Sequence, residues 1–152
     1  MEVFRLSRKK YSRYLSGDGA AIGGGRWNSI GTELVYTASN RSLAMAEVAV
    51  HLALPAVPED FLMLKIGIPD DVSVQTVKDE DLPIDWRVFP YSSSSQIIGD
   101  RFVIQGKDLV LRVPSAVTRG DYNLLINPRH REFQRVRIVD REEFPFDRRL
   151  IR

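Results

Sequence analysis

Three side chains near the start of the chain have the types and the spacing of groups that could form one binding pocket. Arg26 follows three consecutive glycines, Tyr36 lies in a short apolar run, and Glu47 lies in a nearly uncharged segment. These segments are expected to form a glycine-rich turn, a strand and a helix. Because pockets are usually assembled from groups on different elements, the stretch from Gly23 to Leu54 is the centre of the prediction.

Glu47 is the most informative of the three residues. In the segment from Leu43 to Leu54 every position except Glu47 and His51 is apolar, so a helix there is expected to be buried nearly all round. Helical spacing sets Glu47 on one face with Leu43, Val50 and Leu54. A carboxylate in such surroundings is costly unless it is paired or faces a cavity, which favours a carboxylate aimed into a pocket.

Two plainer explanations of Glu47 stay open. It could form a structural salt bridge with Arg26 or Arg41. It could also join His51, one turn further along, in a metal site. The chain has no cysteine and one other histidine, His130, so scattered carboxylates would have to complete such a site. The expectation is therefore a hydrogen-bonded helix histidine and no metal.

Arg26 offers a planar fork of donors that suits phosphate or carboxylate. Trp27 is expected to anchor the turn in apolar surroundings and so to hold Arg26 in place; a loose surface arginine is the alternative. The glycines let the backbone lie close to a ligand, but neither the Walker spacing nor the dinucleotide fingerprint is present. Tyr36, at a strand end, is by itself more typical of a core residue than of a ligand contact.

Polar residues at strand ends in the second half of the chain are weaker candidates. Ser115 follows Pro114 at the end of a predicted strand, and Asn123 and Asn127 flank an alternating run. They could be turn formers without any chemistry, and neither histidine lies in a triad context that would make Ser115 a nucleophile. The arginines between positions 129 and 141 are interleaved with acids and are expected to form a solvated strand face, or a face that docks an acidic partner.

Two helices are expected. The first runs from Leu43 to Leu54, with Ser39 as its N-cap and Pro55 and Pro58 at its end. The second covers positions 92–105, where Ser93 and Gln96 resemble a capping box.

The remaining segments predict strands and turns. Positions 16–20 have turn chemistry, and positions 82–90 are expected to be a loop with Trp86 and Phe89 packed inward. Strands are expected at Glu2–Leu6, Leu34–Thr37, Phe61–Ile68, Val72–Val77, Leu109–Val113, Tyr122–Ile126 and Gln134–Val139, with a weak edge strand in Phe144–Arg152. Because strands and helices do not alternate regularly, the prediction is an α+β fold.

The composition is that of one globular domain. The 152 residues are 43% hydrophobic and 28% charged, with a net charge of +2, which is too small to argue for nucleic acid. No apolar run approaches the length of a membrane helix, and positions 1–14 lack the apolar region of a signal peptide. The absence of cysteine fits a cytoplasmic protein, which is the expected location.

Five segments together resemble one known family, the RES domain, which supplies the toxins of RES–Xre toxin–antitoxin pairs. The resemblance covers nearly the whole chain in one order, so we expect a single RES domain over residues 1–152. The segments are GGRWNSIG (24–31), VY (35–36), AMAEVAVHL (44–52), VPS (113–115) and NLLINPRH (123–130).

The resemblance implies an ADP-ribosyltransferase-like fold, with a mixed β-sheet core and a few flanking helices, and an enzyme that attacks NAD at the nicotinamide–ribose bond. NAD is then the substrate, and no cofactor or metal is expected. Members are described as enzymes that degrade NAD by hydrolysis or phosphorolysis, and also as transferases that modify a protein. The implied partner is an Xre-type antitoxin that blocks the active site, without direct nucleic-acid or membrane binding and with an oligomer possible within the complex.

The family's pattern also implies roles for particular residues. Arg26, Glu47 and Ser115 are the expected catalytic residues, and Tyr36 and Asn123 join them as NAD contacts. Glu47 would hold the ribose hydroxyls, Arg26 the pyrophosphate, and Tyr36 the nicotinamide ring. Ser115 would bond the ribose or the carboxamide, or orient Glu47 or Arg26. The segment 86–104 offers no functional residue to transfer.

Two other functions remain open at this point. The first is mono-ADP-ribosylation of a cellular protein, which would use the same NAD site with a different acceptor. The second is a non-catalytic nucleic-acid or protein-binding module that uses the arginines between positions 129 and 141.

Overall fold

The computed structural model describes residues 1–52 and 59–150, which contain one seven-stranded mixed sheet and helices beside it. The strands are β1 (Glu2–Arg8), β2 (Val35–Ala38), β3 (Phe61–Gly67), β4 (Val74–Thr76), β5 (Val110–Pro114), β6 (Tyr122–Ile126) and β7 (Arg137–Glu143). The α-helices are α1 (Asp18–Gly23), α2 (Arg41–Ala49) and α3 (Ser93–Gln105). The predicted α+β fold, with a mixed sheet and a few flanking helices, is confirmed.

The sheet has the strand order β4-β5-β6-β2-β1-β3-β7. Only the β4–β5 pair is parallel, and every other neighbouring pair is antiparallel. The register joins β1 to β3 at seven Cα pairs. In contrast, it joins β1 to β2 at a single pair, Phe4 with Ala38. The sheet is therefore weakly joined in its middle, between β1 and β2.

Alternating residues of the strands divide the core between the two faces of the sheet. In β6, for example, Leu124 and Ile126 belong to one cluster and Leu125 to another. The second face carries two separate clusters. One packs α2 over β1 and β3 through Leu43 and Ala44, and the other gathers Trp27, Trp86 and Phe102 of α3 over β5 and β6. A space is left between these two clusters, at the β1–β2 junction.

Several local predictions were wrong. The segment expected to be a turn at positions 16–20 leads into α1. The predicted strand at Gln134–Val139 begins later, because Phe133–Arg135 form a 3-10 turn and β7 then runs to Glu143. Among the described residues of the tail there is no edge strand, but a 3-10 turn at Arg148–Leu150; positions 151–152 lie outside the description.

The helix caps also differ from the predictions. Asn40, and not Ser39, caps α2 by accepting a bond from the Leu43 amide at 2.8 Å. Ser92, and not Ser93, caps α3 by accepting a bond from the Ser94 amide. The α2 helix is regular to Ala49, and its expected end at Leu54, Pro55 and Pro58 lies outside the described residues.

The α2 helix is less buried than its apolar sequence predicts. Leu43 and Ala44 are buried, but Val50, just past the last turn, is 57% exposed. One side of the helix is thus left facing an open space beside the sheet. No helix among the described residues is long and apolar enough to cross a membrane.

Candidate active site

A cleft of about 770 Å³ opens where β1 and β2 are joined at one pair. Its floor is formed by residues of these two strands, and α2, the glycine-rich turn and the segment before α3 surround it. The lining includes four of the five predicted site residues, namely Arg26, Tyr36, Glu47 and Asn123.

Glu47 projects from α2 into this cleft and is partly buried. Its Oε1 accepts a hydrogen bond from Ser115 Oγ at 3.2 Å. Asn123, whose Nδ2 donates to the Thr37 carbonyl at 3.2 Å, lines the same cleft. Burial raises the pKa of Glu47, while the polar side chains of Ser115 and Asn123 and the charge of Arg26 oppose that rise. Arg41, one proposed salt-bridge partner, pairs instead with Glu142 at 2.7 Å.

Ser115 lies behind Glu47 and not on the cleft surface. It follows β5 directly and is 1% exposed. Its Oγ accepts hydrogen bonds from the backbone amides of Val117 at 3.1 Å and Thr118 at 3.0 Å. With these two bonds accepted, the hydroxyl hydrogen is directed to Glu47. This geometry suits a residue that orients the carboxylate.

Arg26 enters the cleft from the glycine-rich turn. Its Nη1 donates to the carbonyls of Trp86 at 2.7 Å and Val88 at 3.0 Å, and its guanidinium carbon is 5.1 Å from the ring centre of Tyr91. Burial lowers the pKa of Arg26, and the nearby Tyr91 and Glu47 oppose this. An arginine remains protonated despite such shifts, so the cleft carries a fixed positive charge.

Tyr36 connects the sheet to the turn that bears Arg26. Its hydroxyl donates to Asn28 Oδ1 at 2.6 Å and accepts from the Trp27 amide at 3.0 Å. Burial raises the pKa of Tyr36 well above its ordinary value, so the hydroxyl keeps its hydrogen at neutral pH. The expectation that Trp27 anchors the turn is also met, since Trp27 is 2% exposed and lies 5.6 Å from Trp86, ring centre to ring centre.

Three residues that line the cleft were missed by the sequence reasoning. Arg5 of β1 donates from Nη1 to the Tyr36 carbonyl at 3.1 Å, and burial lowers its pKa. Tyr91 and Phe89 come from the segment 86–104, in which the family resemblance offered no functional residue to transfer. Phe89 was predicted to pack inward but is 70% exposed, whereas Trp86 is buried as predicted. The position of Arg5 between the apolar residues Phe4 and Leu6 was the one available signal.

His51 lies two residues beyond α2, is exposed and lines the cleft, with its ring centre 6.1 Å from that of Phe89. Within residues 1–52 and 59–150, no group of three or more acidic, histidine or cysteine side chains could hold a metal ion.

The comparison with protein families matches residues 2–147 to the family described as the RES domain. The chain belongs to the RES domain family. Two curated relatives support the assignment of this RES domain to the family. It is 36% identical over 140 residues to the "Prs ADP-ribosylating toxin" of Sphingobium sp. strain YBL2, covering 91% of this chain and 87% of that protein. It is 35% identical over 154 residues to "Toxin Res" of Photorhabdus laumondii, covering 100% and 98%.

A solved structure supports the fold of this RES domain. The crystal structure of the M. tuberculosis MbcT–MbcA toxin–antitoxin complex contains a chain that superposes with a TM-score of 0.77. The match has 19% sequence identity and covers 95% of this chain and 84% of the other. At that identity the likeness concerns the fold.

Proposed function

We propose that this RES domain is the toxin of a toxin–antitoxin pair and that it consumes NAD by cleaving the nicotinamide–ribose bond. The observation that carries the proposal is Glu47, a half-buried carboxylate in a cleft that is held by Ser115 and shares that cleft with Asn123 and the charge of Arg26. A carboxylate in that setting is suited to a substrate that develops positive charge as it reacts.

Cleavage of this bond passes through an oxocarbenium-like state, as glycoside cleavage does. The bond between ribose C1′ and the ring nitrogen breaks, and its electron pair leaves with nicotinamide, which becomes neutral. Glu47, when ionised, stabilises the charge that develops on the ribose and holds the ribose hydroxyls. The acceptor, which is water, phosphate or a protein side chain, then gives an electron pair to C1′ and loses a proton.

The cationic groups of the cleft are suited to the pyrophosphate of NAD. Arg26 uses Nη1 for two backbone carbonyls, which leaves the other three donors of its fork for a phosphate. Arg5 lines the same cleft and offers a second charge. The Tyr36 ring would lie against the nicotinamide, while its hydroxyl holds the turn. Ser115 acts through Glu47 in this scheme and does not bond the substrate.

The toxin assignment rests on the family and on the names of its relatives. "Toxin Res" of Photorhabdus laumondii covers the whole chain, and the superposed crystal structure is that of a toxin–antitoxin complex. We therefore propose that an antitoxin protein, of the Xre type implied by the family resemblance, restrains this enzyme in the cytoplasm by covering the cleft.

A second candidate function is mono-ADP-ribosylation of a cellular protein. The observation that favours it is the relative named "Prs ADP-ribosylating toxin", which is 36% identical over 91% of this chain. The binding-module alternative is disfavoured by the charges between positions 129 and 141. Arg129 pairs with Glu33, and Arg135 pairs with Asp71 and Glu132, so that face is partly neutralised.

The decisive experiment follows NAD and nicotinamide over time with purified protein, with and without phosphate. The wild type is compared with Glu47→Gln and with a matched control, Glu80→Gln, at an exposed position outside the cleft. We expect Glu47→Gln to lose about 10²–10³-fold in rate and the control to keep wild-type activity. Phosphate dependence would name the acceptor. Equal activity in Glu47→Gln and wild type would refute the catalytic role of Glu47.

Radiolabelled NAD in a cell extract tests the alternative. Label that remains on a protein after denaturation, in amounts that match nicotinamide release, would favour transfer. Label recovered as free ADP-ribose, or as its phosphorylated form, would favour consumption of NAD.

A further inference from the structure

Helix α3 lies against the backbone of the turn that carries Arg26. Four of its residues, at positions 95, 96, 99 and 100, are spaced so that they share one face of the helix. Each of them meets the segment Gly25–Ser29. The α3 helix, in which no functional residue was predicted, thus lies directly behind the turn that carries Arg26.

Three of the four residues hold the turn by hydrogen bonds. Ser95, which is fully buried, donates from Oγ to the carbonyl of Arg26 itself at 2.7 Å. Gln96 donates to the Gly25 carbonyl at 3.0 Å. The carboxylate of Asp100 accepts from the Ser29 amide at 3.0 Å and from the Ser29 hydroxyl at 2.6 Å.

The fourth residue, Gly99, allows the helix and the turn to touch. A Cβ atom added at Gly99 would lie 1.6 Å from the Trp27 carbonyl oxygen and 2.7 Å from the Trp27 carbonyl carbon. Both atoms belong to backbone, so no side-chain rotation relieves the contact. Any larger residue at position 99 must push the turn away from α3 by more than about 1 Å.

The opposite side of the turn lies close to a side chain of the sheet. A Cβ added at Gly25 would lie 2.6 Å from the Tyr36 hydroxyl oxygen, and that hydroxyl bonds to the Trp27 amide. The backbone around Arg26 therefore lies between α3 on one side and the Tyr36 side chain of β2 on the other.

We propose that α3 sets the position of the Arg26 guanidinium in the cleft, with Ser95 and Gly99 as positioning residues that never touch the substrate. Because Arg26 is the proposed pyrophosphate contact, the catalytic readout of this inference rests on the proposed function. The contacts of α3 with the segment Gly25–Ser29, called the clamp below, are present without NAD and can be measured without it.

A double-mutant cycle with Arg26 distinguishes an effect on the position of Arg26 from a general loss of protein stability. We expect Ser95→Ala to lower kcat/KM for NAD about 10-fold, because it removes one buried hydrogen bond to the Arg26 backbone. Gly99→Ala should lower it about 10²-fold, since displacement by about 1 Å is that costly. Both losses should appear mainly in KM if Arg26 holds the pyrophosphate in ground state and transition state alike.

In an Arg26→Ala background the same two changes should alter kcat/KM less than about twofold, because the group that they position is gone. A purely structural role predicts additive losses instead. Two matched controls are Ser93→Ala and Gln105→Ala, at exposed positions of the same helix outside the cleft. Both should keep wild-type kcat/KM.

The second readout is the ¹⁵N–¹H NMR spectrum of the ligand-free protein. Ser95→Ala and Gly99→Ala should shift the Arg26 Nε–H and the Trp27 indole and amide signals, and the controls should leave them in place. Unmoved signals in both variants, or additive losses in the cycle, would overturn the clamp. If the wild type consumes no NAD, the proposed function fails, and the NMR comparison alone decides on the clamp.

Discussion

At the scale of single residues, the site is centred on the Glu47 carboxylate. Its burial opposes ionisation, and the polar groups beside it favour ionisation. Burial acts against the charge of Glu47, and the polar side chains of Ser115 and Asn123 act for it. The sequence predicted the carboxylate because an acid in an apolar helix is anomalous. It could not predict that the Ser115 hydroxyl would donate to Glu47. That direction depends on the two backbone amides that donate to the same oxygen, and these come from the turn after Ser115.

Ser115→Ala tests the orienting role. We expect about a 10-fold lower kcat, because Glu47 loses one donor, and a shift of the acidic limb of the pH profile to higher pH, because that bond lowers the pKa of Glu47. Ser73→Ala, at an exposed position, is the matched control. An unchanged pH profile together with a large rise in KM would instead indicate that Ser115 bonds the substrate.

The raised pKa of Glu47 also makes a prediction for stability. A carboxyl group whose pKa is higher in the folded than in the unfolded protein binds its proton more tightly when folded, so stability falls as the pH rises through its titration. The free energy of unfolding of the wild type, relative to Glu47→Gln, should therefore decrease as the pH rises above about 4.3, the ordinary pKa of a glutamate. Urea melts of the two proteins at a series of pH values measure it. A relative stability that rises with pH would contradict the burial argument.

At the scale of elements, long periodic segments were predictable and short connectors were not. The β6 strand has the predicted bounds, because its alternation matches the pleat. The α1 helix was missed, because its two glycines and one aspartate are typical of turns. The segment 86–104 gave no functional residue to transfer, since exposed aromatic residues such as Phe89 reveal a cleft only when the fold brings them to it.

The cap of α2 distinguishes the predicted from the observed start of that helix. Asn40→Ala should lower the free energy of unfolding by about 1 kcal/mol, because the Leu43 amide loses its acceptor. Ser39→Ala, at the position that the sequence favoured, should change it by less than about 0.5 kcal/mol. Denaturant titration of both variants measures the difference. A larger loss at Ser39 would mean that the helix begins one residue earlier than described.

At the scale of the whole molecule, the fold class could be predicted, but the place of the cleft could not. The irregular order of strands and helices indicated an α+β protein. The weak junction between β1 and β2 depends on pairing between segments more than thirty residues apart, on which local patterns carry no information. The same holds for Arg5, which becomes a cleft residue only because its strand borders that junction.

A ligand that fills the cleft should stabilise the entire chain. At about 100 times its Kd, a carbocyclic NAD analogue without a cleavable bond should add about 2.7 kcal/mol, or roughly 5–10 °C in Tm for a domain of this size. Arg26→Ala should reduce the increase by weakening the pyrophosphate contact. Thermal melts with and without the analogue test this. An equal increase for wild type and Arg26→Ala would exclude Arg26 from the binding site.

The single register pair between β1 and β2 has one more consequence. In most sheets the backbone alone ties each strand to the next, whereas here the two halves of the sheet meet over a gap bridged by the bond from Arg5 to the Tyr36 carbonyl. A molecule seated in that gap takes over part of the cross-linking that backbone bonds supply elsewhere. Ligand binding should then change the flexibility of the protein more than its shape, and in the ligand-free protein the β1–β2 junction should be the most flexible part of the sheet.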